Sequence, residues 1–265
     1  MPPFAPDLKL ILAVALVAAV VPFLALWIVS LRIRDASIVD VYWGPGFIFV
    51  TAATFLLGPQ TGAGWIILGA VALWGARLGL HIGLRKLAEA DEDGRYQAMR
   101  RTWKGNFAWE SLKWVFLLQA GMQFVVALPV SIGAAVAGDG QSRLFHVGLL
   151  VFLTGLIVEA VADWQLTEFR KRRKSHEDVC DIGLWSWSRH PNYFGETVLW
   201  WGLFAMALGA GASWWTVIGP ATITFLLLRV SGVTLLERGL KKRKPAYADY
   251  ARRTSAFIPW PPKRP

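Results

Sequence analysis

The sequence predicts an all-α integral membrane protein with seven transmembrane helices, its N-terminus outside and its C-terminus cytoplasmic. Three observations carry that expectation. Of 265 residues, 55% are hydrophobic and 17% charged, against about 25% charged residues in soluble domains. The uncharged runs reach the length of about 20 apolar residues that a helix needs to cross a bilayer. The 28 Lys and Arg residues gather in alternate loops, as they do on the cytoplasmic side of membranes.

The spans follow in order. Leu10 to Leu31 is uncharged despite Pro22, and Arg32 and Arg34 follow it. It is longer than the apolar core of a signal peptide and reads as an anchor. Val41 to Ala76 is uncharged but broken by Gly58-Pro59-Gln60-Thr61-Gly62, which gives spans at about 37–57 and 63–84, with Arg77 and His81 in the latter. Trp114 to Ala137 is the fourth span, and Leu144 to Leu166 the fifth, with Glu159 and Asp163 near its end. Thr197 to Leu228 divides at Gly209-Ala210-Gly211-Ala212-Ser213 into spans at about 192–210 and 213–232.

The basic residues fit this count. Loop one holds Arg32 and Arg34; loop three holds Arg85, Lys86, Arg95, Arg100, Arg101 and Lys104. Loop five holds Arg170 to Lys174 and Arg189, and the tail holds Arg238, Lys241 to Lys244, Arg252, Arg253, Lys263 and Arg264. Loops two and six hold none, and loop four only Arg143. The net charge of +10 is thus explained by topology, and no nucleic acid is expected as a partner. A single cysteine, Cys180, excludes an internal disulfide and any multi-cysteine metal site. The four histidines lack metal-ligand spacing, so no metal is expected. No internal repeat is visible, and residues 1–265 read as one membrane domain. The Ala- and Gly-rich style suggests a bacterial inner membrane.

Charged groups inside a span cost about 2.5–3.5 kcal/mol even on the mildest scale, so each needs a reason. Asp40 stands at the start of span two, beside Tyr42, Trp43 and Gly44. Arg77 and His81 are one helical turn apart and share a face; Arg77 either pairs with Asp40 or Glu159 or serves a substrate. Gln119 and Gln123 share a face of span four and suit interhelical hydrogen bonds. Glu159 and Asp163, with Arg170 further along the same stripe, lead from the membrane into Phe169-Arg170-Lys171-Arg172-Arg173-Lys174. That basic run is either cytoplasmic-side charge or a phosphate holder, a task suited to guanidinium.

Asp181-Ile-Gly-Leu-Trp185-Ser-Trp187-Ser-Arg189-His190-Pro191-Asn192-Tyr193-Phe-Gly195-Glu196 leads into span six. Pro191 suits a first helical turn, and a helix N-terminus presents free N–H groups to an anion. Arg189, His190 and Asn192 add side-chain donors there. This string resembles the C-terminal half of the steroid 5-alpha-reductase family, in particular bacterial members of unassigned function, and also sterol reductases acting on ring double bonds. The resemblance covers about 150–262. It takes in Asp163-Trp-Gln-Leu-Thr-Glu-Phe-Arg170, Arg229, and the tail Tyr247-Ala-Asp249-Tyr250 with Phe257-Ile-Pro259. It implies that 144–265, spans five to seven, is an NADPH-binding half, with Asp163, Arg170, Asn192, Glu196, Arg229 and the tyrosines Tyr193, Tyr247 and Tyr250 as cofactor contacts. Glu159, Trp187, Arg189, His190, Glu237 and Arg253 complete the candidate cofactor set. Residues 1–143, spans one to four, would form the substrate side. There the Gln-Glu pair of steroid-reducing members is missing, and the chain matches the bacterial members at Trp74-Gly-Ala-Arg77, His81, Arg85 and Glu92-Asp93-Gly-Arg95-Tyr96.

The expected function is therefore NADPH-dependent reduction of an enone-type carbon–carbon double bond in a hydrophobic steroid- or lipid-like molecule that enters from the bilayer. Asp40, protonated by burial, is the expected acid on the carbonyl oxygen, with Tyr96 or His81 as alternates; Trp43 and Arg77 are candidate substrate contacts. Arg-His-Pro-x-Tyr also resembles membrane isoprenylcysteine and phospholipid methyltransferases that use S-adenosylmethionine. For that reading, Leu235-Leu-Glu237-Arg238 and Tyr247…Tyr250 would supply the acid and the tail. A scaffold or carrier is a third reading; a carrier would more often show repeat symmetry.

Overall fold

The computed structural model describes residues 6–88, 91–138, 142–175, 177–230, 237 and 246–263. Among them all regular structure is helical apart from one isolated bridge between Ser188 and Ser255. We number the helices α1 (Leu8–Ile33), α2 (Ile38–Phe55), α3 (Gly62–Leu87), α4 (Gly94–Thr102), α5 (Phe107–Val136), α6 (Arg143–Arg172), α7 (Leu184–Trp187), α8 (Pro191–Gly209), α9 (Trp214–Val230) and α10 (Tyr247–Arg253). Five of them, α1, α2, α3, α5 and α6, are long and apolar enough to cross a membrane. Helices stand also at the sixth and seventh expected spans. However, α8 opens on Asn192, Tyr193 and Glu196, which dilute its apolar character, and α9 is short. The last two residues of the seventh expected span, the tail cations Arg238, Lys241 to Lys244 and Arg264, and Leu235 of the methyltransferase reading lie outside the described residues.

Local chemistry sets the boundaries. Asp7 caps α1 by accepting from the Lys9 N–H at 3.1 Å, and Arg34 ends it in the left-handed region with φ 57°. Thr61 caps α3 and also donates to the Ala137 carbonyl at 3.0 Å. Asn106 accepts from the Ala108 N–H at 2.9 Å, so α5 begins at Phe107 rather than at the expected Trp114. A π-helical stretch, Leu112–Leu117, interrupts it. The last turns of α3 and α6 carry Arg85 and Lys86, and Arg170 to Arg172. Cations there complement the helix dipole.

The chain divides into two compact units. The first comprises residues 1–145 and 206–219, and the second 146–205 and 220–265. Met206–Gly219 thus joins the first unit although it follows most of the second in sequence. In the first unit, α2 and α3 meet backbone to backbone: a Cβ on Gly44 would collide with the Gly75 carbonyl oxygen. Small residues permit such approach between membrane helices. Phe23, Val39, Val115, Phe116 and Ala120 form a buried cluster, and Phe47 sits edge-on to Trp74 at 5.5 Å. In the second unit, α6 and α8 run antiparallel. Gly195 lies on Glu159, Gly155 on Leu199, and Gly202 on Phe152.

Candidate functional site

Two polar clusters stand out, one in each unit. The first forms around α4. Glu92 and Asp93 precede this helix, and Asp93 caps it by accepting from the Arg95 N–H at 2.9 Å. Arg95 then reaches Asp40 on α2 at 2.5 Å and Asp93 at 3.0 Å. The Tyr96 hydroxyl donates to the other oxygen of Asp40 at 2.8 Å. Glu92 accepts from the Ala36 N–H at 2.8 Å and pairs with Arg100 at 3.0 Å. Asp35 pairs with Lys86 at 2.7 Å. Thus α4 is tied to the turn between α1 and α2 by charge-assisted bonds, the strong kind.

The electrostatics follow from those contacts. Burial, reinforced by the Asp40 charge, holds the Tyr96 phenol well above its ordinary value, so it keeps its proton. Burial works against the Asp93 carboxylate, but the bonds from Arg95 outweigh it and hold it below the usual range. Asp40 thus accepts from both Arg95 and Tyr96. The sequence reading left Arg77 as a partner for Asp40 or Glu159, whereas Asp40 meets Arg95 and Tyr96. Arg77 and His81 lie on α3, and neither is without a partner. Trp43 packs edge-on to Phe47 at 5.3 Å, and its carbonyl accepts from Gln123 at 3.0 Å.

The second cluster is built where α6 crosses α8. Because Gly195 has no side chain, the backbone of Glu159 approaches it closely; a Cβ there would stand 2.5 Å from the Glu159 nitrogen. That approach sets the acids of α6 against the first turns of α8. Glu159, Asp163 and Glu196 are all buried, and Asn192 donates to Asp163 at 3.2 Å. Before α8, Gly183 takes φ 56°, open to glycine at little cost. Gln165 packs against it and accepts from the Leu184 N–H at 2.9 Å. The Trp185 indole donates to the Ala162 carbonyl at 3.0 Å.

The C-terminal segment closes over this turn. The Tyr250 hydroxyl donates to the Trp185 carbonyl at 2.6 Å. Ser188 donates to the Phe257 carbonyl at 2.7 Å, and Arg253 meets Asp181 at 2.6 Å. Arg189 donates to Glu237 at 2.8 Å and to the Ala251 carbonyl at 2.6 Å. His190 Nε2 stands 3.5 Å from the same Glu237 oxygen, and its ring stacks on Tyr193 at 5.6 Å. Burial pushes Glu237 up, but His190 and Arg189 outweigh it and hold the carboxylate below its ordinary range. Burial keeps the Tyr247 and Tyr250 phenols well above theirs.

The expected cofactor residues therefore fall into three groups. Glu159, Asp163, Asn192 and Glu196 come together at the crossing. Arg189, His190, Tyr193, Glu237, Tyr247, Tyr250 and Arg253 gather around the closing segment. Arg170, Trp187 and Arg229 lie exposed at or near helix ends. Sequence reasoning gave no role to Gln165, Ser188 or Asp181, which hold the turn. Their signal was Gly183 beside two tryptophans. Among the described residues, Thr197 Oγ1 and Tyr247 OH are buried without a hydrogen bond, and His190 Nε2 has the Glu237 carboxylate at 3.5 Å. A cavity of about 570 Å³ lies beside the second cluster, lined by Glu177, Asp178, Asp181 and Asp249 with Arg253, Phe169 and Tyr250 among others. Its carboxylates suit a hydrogen-bond donor or a cation rather than a phosphate. No group of three or more metal-ligating side chains occurs among the described residues.

A family model described as a protein of unknown function, DUF1295, matches residues 26–254, and the chain belongs to that family. None of the curated proteins and none of the solved structures compared with the chain matches it.

Proposed function

We propose that the chain is an NADPH-dependent reductase of the steroid 5-alpha-reductase type, acting on a polarised carbon–carbon double bond in a hydrophobic steroid- or lipid-like substrate. One observation carries the reading: Asn192 donates to the buried Asp163, and Glu159 lies against Gly195, the neighbour of the buried Glu196, where α6 crosses α8, at the motif that carries the family resemblance. Unmatched buried polar groups are expensive, and Thr197 Oγ1 and Tyr247 OH are two such groups near the start of α8.

The residues fit NADPH in chemical type. Buried carboxylates accept from a carboxamide or from ribose hydroxyls, and the cations from Arg170 to Lys174 at the end of α6 suit phosphates. Arg189 is engaged by Glu237 and two carbonyl groups, so its part is to hold the turn in place. The bound cofactor would supply the hydride; the protein orients it and stabilises the charge that develops. For the proton, Asp40 and Tyr96, which share one hydrogen bond, are together the candidate donor.

The same proposal includes seven spans, an outside N-terminus and a cytoplasmic C-terminus, in a bacterial inner membrane. The contacts of Gly195, Gly155 and Gly202 support the sixth span, because they lay α8 along the apolar length of α6. The second reading, an S-adenosylmethionine-dependent methyltransferase, is favoured by Glu237 meeting both Arg189 and His190. Thermal shifts of the purified protein with NADPH, NADH and S-adenosylmethionine separate the two. Stabilisation by NADPH, weakened in Arg170→Ala, supports the reductase. Stabilisation by S-adenosylmethionine alone replaces it with the methyltransferase.

A further inference from the structure

The C-terminal segment after α10 has an inverted pattern. Thr254 enters it in extended conformation with φ −112° and ψ 134°. From Ser255 to Trp260 exposure alternates from one residue to the next. One set points inward: Ser255 bridges to Ser188, and Phe257 lies edge-on to Phe194 of α8 at 5.8 Å. The other set, Ala256, Ile258 and Trp260, is exposed and wholly apolar. A segment facing water would place polar residues on that side.

Neighbouring residues extend the surface. The Trp260 N–H donates to the Trp187 carbonyl at 3.0 Å, fixing the two tryptophans at the same level. Trp187 is 48% exposed, Trp260 69%, Ile182 53% and Ile258 63%. Exposed apolar groups contiguous in this way mark a binding surface rather than scatter. The exposed cations Arg252 and Lys263 stand together at one end of it, where the Lys263 N–H donates to the Arg253 carbonyl at 2.9 Å. Trp187 lies just ahead of Pro191, where α8 begins.

We propose that this strap, with Trp187 and Ile182, is an interfacial membrane anchor. Its Ile and Trp side chains enter the headgroup region of the bilayer while Arg252 and Lys263 meet lipid phosphates. Trp is the side chain most at home at that depth, apolar in body and polar at one edge. Cations beside an apolar face are complementary to an anionic leaflet. The inference rests on the chain being embedded in a membrane and not on the reductase reading.

The test places a fluorescent probe at Ala256→Cys in the full chain, reconstituted in phosphatidylcholine–phosphatidylglycerol nanodiscs. Ala256 shares the outward face without contributing the anchor side chains, and the native Cys180 is buried, so the unsubstituted protein serves as the labelling blank. The anchor predicts several-fold stronger quenching by a headgroup-region nitroxide lipid than by aqueous iodide. It also predicts that Ile258→Ser with Trp260→Ser reverses this order. Iodide quenching equal to that of free dye, with no nitroxide quenching, overturns the proposal. So does shielding without nitroxide quenching that grows with protein per disc, which assigns the surface to a second copy. If the double variant fails to fold, the single probe decides the question alone.

Discussion

The guanidinium of Arg189 donates to Glu237 and to the carbonyl groups of Ala251 and Thr254, so it joins the start of α8 to two separate tail positions. Breaking a buried pair strands the other charge, at about 3 kcal/mol. Arg189→Ala should therefore lower thermal stability far more than Arg252→Ala, whose partner Asp249 is exposed. Glu237 adds a pH dependence. Its carboxylate is held below the ordinary 4.5, so its contribution is complete above that value and disappears as pH falls through the lowered one. A melting series from neutral to acid pH should show this loss, and Glu237→Gln should flatten it. In the first unit, Tyr96→Phe removes one hydrogen bond to Asp40, about 1 kcal/mol. Arg95→Ala removes the only cation bonded to Asp40 among the described contacts and should destabilise more. Denaturation that ranks the two variants the other way would show that Arg95 is not what compensates Asp40.

At the scale of elements, α6 and α8 depend on absent side chains. Gly195→Ala would put a methyl group 2.5 Å from the Glu159 nitrogen and 2.7 Å from the Gly155 oxygen. The helices must separate or tilt, and the acids with them. Both the melting temperature and any cofactor affinity should fall. Gly121→Ala is the control: nothing lies within 4 Å of its added Cβ, and helix propensity alone favours alanine by about 0.8–1.0 kcal/mol. An equal effect of both substitutions would show that the close approach at Gly195 does not hold the crossing together. Much of this level was legible in the sequence. Uncharged runs, Gly-Pro breaks and the spacing of Glu159 with Asp163 are local, and their helices lie where the runs do. The pairing of Gly195 with Glu159 was not legible, since glycines on two helices reveal a contact only once the helices are in register. Arg95 with Asp40 and Arg189 with Glu237 were hidden for the same reason: 55 and 48 residues separate the partners. The start of α5 was missed because Asn106, a capping residue, precedes a stretch still carrying charge.

For the whole molecule, charge and hydropathy lead to different counts. The alternation of basic loops expects seven spans, whereas five helices meet the length and apolarity of a span outright. Both counts are odd, and both put the tail on the side of the basic loops, so locating the termini cannot choose between them. The turn between α8 and α9 can. If α8 crosses beside α6, the residues after Gly209 emerge on the face away from the basic loops; if α8 stays on the cytoplasmic side, so do they. Ser213 is exposed in that turn, and Cys180 is buried. Ser213→Cys should therefore react with a membrane-impermeant maleimide added to intact cells. Reaction only after lysis would reduce the count to five and make everything beyond α6 peripheral to the bilayer. The antiparallel contact of α8 along the apolar length of α6 favours labelling from outside, because a helix packed there in the cytoplasm would strip lipid from one side of a spanning helix and replace it with nothing of matching depth.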